Sequence, residues 1–383
     1  LAGPCPSSSS LDLLLGLRYR ATCGPPVAEL AEPRSRGFIV VEDSEPPPPS
    51  REGRVCVYLV VKRGASTPEA ARRLARLLGA RGAEPLGLKD ADATTAQLVC
   101  IYGCPRTAPA TVRAPGLWAR LVARTRSSCR AAVLRGNRFT ILLRPLPGRS
   151  AEEVAERLGE AAAQPLPAYY AYQRFGTRRP STGHAAASML HDPVAAVLRE
   201  TLDYPYPDEA PEAIRCRRLL WRGSGCPGGF YEKTLSEQAA NLRAELRGFL
   251  ASIYASALQA SLFNWYLSLR IERGYPLEAP IPGERRLPDG RPAAPVPPLG
   301  GSLPGGEAGR LLREAAAMLS LSAGDLSRPE PLPRRRGYWR PVYTRPRGLR
   351  TRVVNGLVVA SFWMEKGMYA TLLLREAVDP SRL

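Results

Sequence analysis

Strand-like runs rich in β-branched and apolar residues return at 353–360 and 369–375, after a middle stretch, about residues 170 to 340, in which helical segments dominate. Two short strands do not make a stable sheet by themselves. They are expected to join the strand-like runs of the first part, at 38–42, 55–62, 97–102 and 139–144. The constraint is topological: one α+β domain must draw strands from both ends of the chain, with a mainly helical segment inserted between them. At 383 residues there is ample chain for two cores.

Local signals place the first helices. Thr67 as N-cap, Pro68 in the first turn, apolar Leu74, Leu77 and Leu78, and Gly79 as the stop predict one helix. Ser150 with Glu153 forms a capping-box pattern that predicts another over 151–163. Residues 248–269 carry no charge and are long enough to cross a bilayer. Ser252, Ser256, Gln259, Ser261, Asn264 and Ser268 interrupt the stretch, so a long, largely buried helix ended by Gly274 is the expectation, and no membrane span. Loose coil is expected over residues 1–10 and around the prolines at 46–49.

Composition narrows the chemistry. Only Lys62, Lys89, Lys233 and Lys366 among 54 basic residues are lysine, and against 35 acids the formal charge is +19, a balance suited to a polyanionic partner. Two histidines, His184 and His191, argue against His-paired nucleophiles and multi-His metal sites. Eight cysteines without a CxxC pair read as a reduced, intracellular protein rather than a disulfide scaffold. Gly223 to Gly228 satisfies GxGxxG, but Pro227 sits where a phosphate-binding turn needs N–H groups, and no GxxxxGK[ST] occurs. No nucleotide or metal cofactor is expected.

The most specific stretch is Gly87-Leu-Lys-Asp-Ala-Asp-Ala-Thr-Thr-Ala-Gln97. Lys89 beside Asp90 supplies a cation that could keep a partly buried carboxylate ionised, and such a carboxylate can act as a nucleophile. A lone Lys-Asp pair is more often a surface turn. The whole string resembles the G-x-K-D-x-x-A-x-T-x-Q signature of the TruD family of tRNA pseudouridine synthases, with Gly87, Lys89, Asp90, Ala93, Thr95 and Gln97 at the fixed positions. The resemblance continues in order. Phe38-Ile-Val-Val-Glu42 is similar to F-x-V-x-E, Arg135-Gly-Asn-Arg-Phe-Thr140 to G-N-x-F-T, and Tyr169 to Gly176 to N-Y-F-G-x-Q-R-F-G. Leu262 to Arg270 matches L-F-N-x-x-L-S-x-R, and Gly367 to Glu376 matches G-S-Y-A-T-x-x-x-R-E.

This resemblance implies a pseudouridine-synthase-type catalytic domain with a central mixed or antiparallel sheet, formed by residues 11–168 and 342–383, and an inserted TRUD domain over 169–341. It implies Asp90 as the catalytic aspartate, Phe139 as an aromatic that stacks on the target uracil, Asn137 as a neighbour that helps place Asp90, and Tyr369 as a further wall of the pocket. It also implies a cytoplasmic enzyme acting on tRNA, with the D-arm uridine at tRNA position 13 as the usual target, and a monomer is expected. The family's lysine ahead of F-x-V-x-E is missing: Glu32-Pro-Arg-Ser-Arg-Gly37 stands there, so Arg34, Arg36 or Lys89 would have to carry its charge. Arg174 and Arg270, which the sequence leaves open between phosphate contacts and internal ion-pair partners, and the basic, aromatic-rich run containing Arg334, Arg335, Arg336 and Arg340 are the candidate RNA-binding residues. The rival from another class is an RNA-binding relative of the same fold without the chemistry.

Overall fold

A computed structural model describes residues 4–176, 182–191, 211–222 and 249–383. The expected GxGxxG loop at 223–228 lies outside the described residues. The chain forms two compact units: Leu1–Cys23 with Pro165–Thr344, and Gly24–Gln164 with Arg345–Leu383.

The second of these units is built on a ten-stranded mixed sheet. Its strands are β1 (Ala28–Leu30), β2 (Phe38–Glu45), β3 (Val55–Lys62), β4 (Gly82–Pro85), β5 (Thr94–Tyr102), β6 (Thr111–Ala114), β7 (Leu117–Thr125), β8 (Val133–Pro145), β9 (Arg347–Val354) and β10 (Leu357–Glu365). The main path runs β9-β10-β8-β2-β5-β3-β7-β6, with β1 added on β8 and β4 on β5. All pairings are antiparallel except β2 with β5. β9 and β10 enter from the far end of the sequence and complete the sheet beside β8.

Helix α1 (Thr67–Leu77) lays Ala70, Ala71, Leu74 and Ala75 on Tyr58, Val60, Val99 and Ile101, forming one closed apolar cluster. Ser66 caps it in place of the expected Thr67; Thr67 instead turns inward, 2% exposed. Helix α2 (Ala151–Ala163) starts at Ser150, whose Oγ accepts the Glu153 N–H at 3.1 Å, and buries Val154, Leu158 and Ala161. Beyond the expected strands, β7 pairs with β3 and β6 with β7, an Arg-rich hairpin whose alternation is too weakly apolar to stand out as a strand pattern.

Two late elements differ from expectation. The run at 353–360 is interrupted by a turn: Asn355 and Gly356 have φ of 51° and 75°, the left-handed pair that a two-residue hairpin favours. The run at 369–375 forms a short helix, Thr371–Leu374, closed by Leu374 N–H to Ala370 O at 3.1 Å. Three of its four residues are leucine and all four are buried, and a short run of that kind carries no period to separate helix from strand.

In the other unit, α3 (Phe249–Glu272) is the long buried helix the sequence led us to expect, and no described helix is long and apolar enough to cross a membrane. Its polar interruptions hold neighbouring backbone. Asn264 accepts the Tyr170 N–H at 2.8 Å and donates to the carbonyls of Leu15 and Tyr170, while Ser268 donates to Gly16 O at 2.6 Å. Helix α4 (Gly306–Ala317) packs along it. Residues 4–10 are ordered where coil was expected: Cys5–Pro6 pairs with Tyr19–Arg20, and Ser9 caps a short helix at Ser10–Leu14.

The thiol expectation is corrected as well. Cys5 is bonded to Cys23, Cys56 to Cys104 and Cys100 to Cys129, and Cys216 is also disulfide-bonded. Chain spacing gave no hint of this, because register rather than sequence brings these β-carbons together. Proteolysis of unreduced protein should release peptides linked through Cys56–Cys104 and Cys100–Cys129. Reduction should cost about 2–4 kcal/mol per bridge and lower the melting temperature accordingly.

Candidate active site

Register assembles the site on one face of the sheet. Directly opposed residues share a face, and every second residue along a strand returns to it. One row across the strands reads Lys62, Thr95, Val40, Phe139, Phe362. Two residues along, the same face carries Gln97, Glu42, Asn137 and Met364. Residues from five strands, distant in sequence, thus converge on one floor. Gly136 is required beside it, because a β-carbon there would lie 2.3 Å from Met364 O and 2.5 Å from the Trp363 ring.

The loop bearing Asp90 is bound at four points, three on that floor and one at the start of α1. Gln97 donates from Nε2 to Gly87 O at 2.8 Å. Thr67 Oγ1 accepts the Lys89 N–H at 2.9 Å and approaches Gln97 Oε1 at 3.1 Å. Lys89 Nζ meets Glu42 Oε1 at 2.5 Å, with the two side chains only 8% and 1% exposed. Lys62 Nζ donates to the main-chain carbonyl of Asp90 at 2.6 Å. The motif positions therefore divide: Gly87, Lys89 and Gln97 build the loop's scaffold, Ala93 and Thr95 are buried under it, and Asp90 is exposed. Asp90 Oδ1 accepts the N–H of Asp92 at 3.1 Å, which orients the carboxylate within its own turn.

Several sequence assignments change. The Lys89 ammonium neutralises Glu42, which also accepts the Leu98 N–H at 3.1 Å, so Lys89 is not the charge partner of Asp90. Asn137 lies on the floor, but among the described residues no hydrogen bond joins it to Asp90, and its buried Oδ1 has no partner. Phe139 is 7% exposed, stacked on Phe362 at 5.4 Å between centroids, with Phe38 edge-on at 6.4 Å. Tyr369 is half-buried, just past the end of β10. Arg34 is committed elsewhere, donating to the carbonyls of Arg382 and Leu383. Lys62 was missed. Its signal was a lone lysine closing an apolar strand in an arginine-rich chain.

The arginine candidates separate by burial. Arg270 is fully buried; it pairs with Glu284 at 2.8 Å and donates to the carbonyls of Tyr275, Pro276 and Ala279, so it braces a loop rather than meeting RNA. Arg340 is 6% exposed, bound to the carbonyls of Ala168 and Tyr169 over the Tyr170 ring at 4.0 Å, which likewise removes it from the RNA set. Arg335 is half-buried against Gln259 and Ser252, and Arg174 is half-buried with its Nε enclosed. Arg334 and Arg336 are exposed. Among the described residues, no group of three or more His, Cys, Asp or Glu could hold a metal ion.

The Lys89–Glu42 pair gives a stability prediction. Lys89→Met leaves a buried carboxylate without its cation, and breaking such a pair from one side costs about 3–5 kcal/mol. Combining it with Glu42→Met should recover most of that loss. Thermal denaturation of the two variants against the parent protein measures both effects.

The family model for tRNA pseudouridine synthase D (TruD) matches residues 15–290. A probable tRNA pseudouridine synthase D of Pyrobaculum aerophilum is 30% identical over 97% of this chain and 97% of its own length. That of Methanopyrus kandleri is 30% identical over 84% of each chain. The fold is that of the crystal structure of a TruD protein from Methanosarcina mazei, with a TM-score of 0.72 and 21% identity over 97% of this chain and 99% of the other. With the signature loop, its sheet floor and these matches in agreement, the chain belongs to the TruD family of tRNA pseudouridine synthases.

Proposed function

We propose that this protein isomerises a uridine of tRNA to pseudouridine, most simply the D-arm uridine at position 13, with Asp90 as the nucleophile. The observation that carries the reading is the contrast within one loop: it is bound to the sheet and to the start of α1 at four points in all, while the Asp90 side chain is left exposed. A group that must meet a substrate atom benefits from a fixed backbone and an open tip. The reaction breaks the N1–C1′ bond of the uridine and forms C5–C1′; the proton on C5 leaves and N1 gains one, so no atoms or electrons are exchanged with a co-reactant. The base must leave its stack to be reached. The aromatic row of Phe38, Phe139 and Phe362 beside Asn137 supports a pocket for a flipped pyrimidine.

On this reading the catalytic domain is residues 11–168 with 342–383 and the insertion is 169–341; the compact unit of residues 24–164 and 345–383 holds most of the former, while residues 11–23 cluster with the helical unit. The protein acts as a monomer in the cytoplasm, where tRNA is processed. Disulfides do not by themselves exclude that location: intracellular proteins of some organisms, hyperthermophiles among them, are rich in them.

Asp90→Asn removes the attacking oxygen anion at nearly constant size, so pseudouridine formation in transcribed tRNA should vanish while tRNA affinity and melting temperature hold. Asp92→Asn, which keeps the N–H bonded to Asp90, should retain turnover. Chemical mapping of the product locates the uridine. Binding without product by the wild-type protein would favour the inactive RNA-binding relative. Replacing Arg334 and Arg336 together should make log affinity less steep against log salt, by about one unit for each phosphate no longer neutralised.

A further inference from the structure

Lys62 stands apart from every other cation in the floor beneath the Asp90 loop. It closes β3, directly opposite Thr95, and is only 1% exposed. Among the described residues its ammonium makes one hydrogen bond, to the main-chain oxygen of Asp90 at 2.6 Å. Burial pushes the ammonium below the usual lysine range; the charge of Asp90 opposes that shift, Lys89 adds to it, and Asp92 again opposes it. A buried cation with one hydrogen bond is costly to keep unless something nearby needs it. The residue type is informative too. This chain uses arginine for nearly all of its cations, yet two of its four lysines, Lys62 and Lys89, lie against the Asp90 loop. A compact ammonium on a flexible stem can end at a single carbonyl, whereas a guanidinium presents a wide fork.

The two lysines do different work. Lys89 is neutralised by Glu42 and ties the loop to β2. Lys62 reaches the one residue of the loop whose side chain is proposed to react. Arg34 is bound to the carbonyls of residues 382 and 383, so it does not supply a cation there.

We infer that Lys62 is a positioning residue: its buried, charged ammonium holds the main chain of Asp90 from beneath and thereby aims the carboxylate at the sugar or base. This rests on the proposed role of Asp90. Moving a reacting group by about 1 Å can cost about 100-fold in rate, so Lys62→Met should lower the single-turnover rate of pseudouridine formation by about that factor. Because Lys62 does not face solvent, the tRNA dissociation constant should stay within about twofold, so that rate falls while binding holds. A merely structural lysine would lower melting temperature and tRNA affinity together with rate.

Lys62→Ala supplies the second measurement. Propylammonium fits the atoms removed and should restore a large part of the rate, while 1-propanol, equal in size and uncharged, should not. Recovery is read in the same folded sample, so misplacement and unfolding are separated. A wild-type rate in Lys62→Met, or equal rescue by the alcohol, overturns the inference. Asp90→Asn is assayed alongside. If it is inert while Lys62→Met is fully active, the positioning role fails and the aspartate reading stands; if Asp90→Asn is active, the reading beneath both fails.

Discussion

The parallel pairing of β2 with β5 is the constraint on which the floor beneath the Asp90 loop depends. Parallel neighbours cannot be joined by a tight turn; they need a crossover. Here the crossover contains β3, α1, β4 and the loop from Gly87 to Ala93, so the chain re-enters the sheet at Thr94, opposite Ile39 of β2, with Lys89 of the loop reaching Glu42 on the same strand. The Lys89–Glu42 pair then closes the corner between loop and strand. Because both side chains are almost fully enclosed, the pair is expensive to break from either side, and it holds the loop in one place.

Polar contacts to the backbone recur as the means of construction in both units. Gln97, Thr67 and Lys62 each bind main chain of the Asp90 loop; Asn264, Ser268 and Arg270 do the same for the segments around α3. An unpaired backbone group in such places would cost as much as a broken hydrogen bond. Side chains that satisfy irregular backbone therefore allow a loop to be both non-repetitive and rigid, which a reacting group requires. Motif residues that read as site residues in a linear string turn out to be structural: Lys89 pairs with the Glu42 carboxylate, and Arg270 holds main-chain carbonyls beside α3.

The α+β class, the split sheet and the buried helix were all legible from local pattern. The capped starts near Ser66 and Ser150, the β-branched runs of β3 and β5, and the serines within α3 each carried a short-range physical signal. Other elements carried none. The helix at Thr371–Leu374 is short and buried throughout, and the hairpin of β9 and β10 hid its Asn355-Gly356 turn inside what read as a single strand. β7 alternates arginine with small and apolar residues and is recognisable only beside β3.

From its sequence this chain declares its net charge and a family signature, because those depend on residue type and spacing alone, and the resemblance carried by that signature singles out Asp90. Which cation serves that residue was decided by tertiary structure. Lys89 is adjacent in sequence, yet its ammonium goes to Glu42; Lys62 is 28 residues away, yet strand register places it under the Asp90 carbonyl. The disulfide partners and the burial of Arg270 and Arg340 were settled the same way. Electrostatic partnership depends on distance and dielectric, and both are properties of the folded chain rather than of its order.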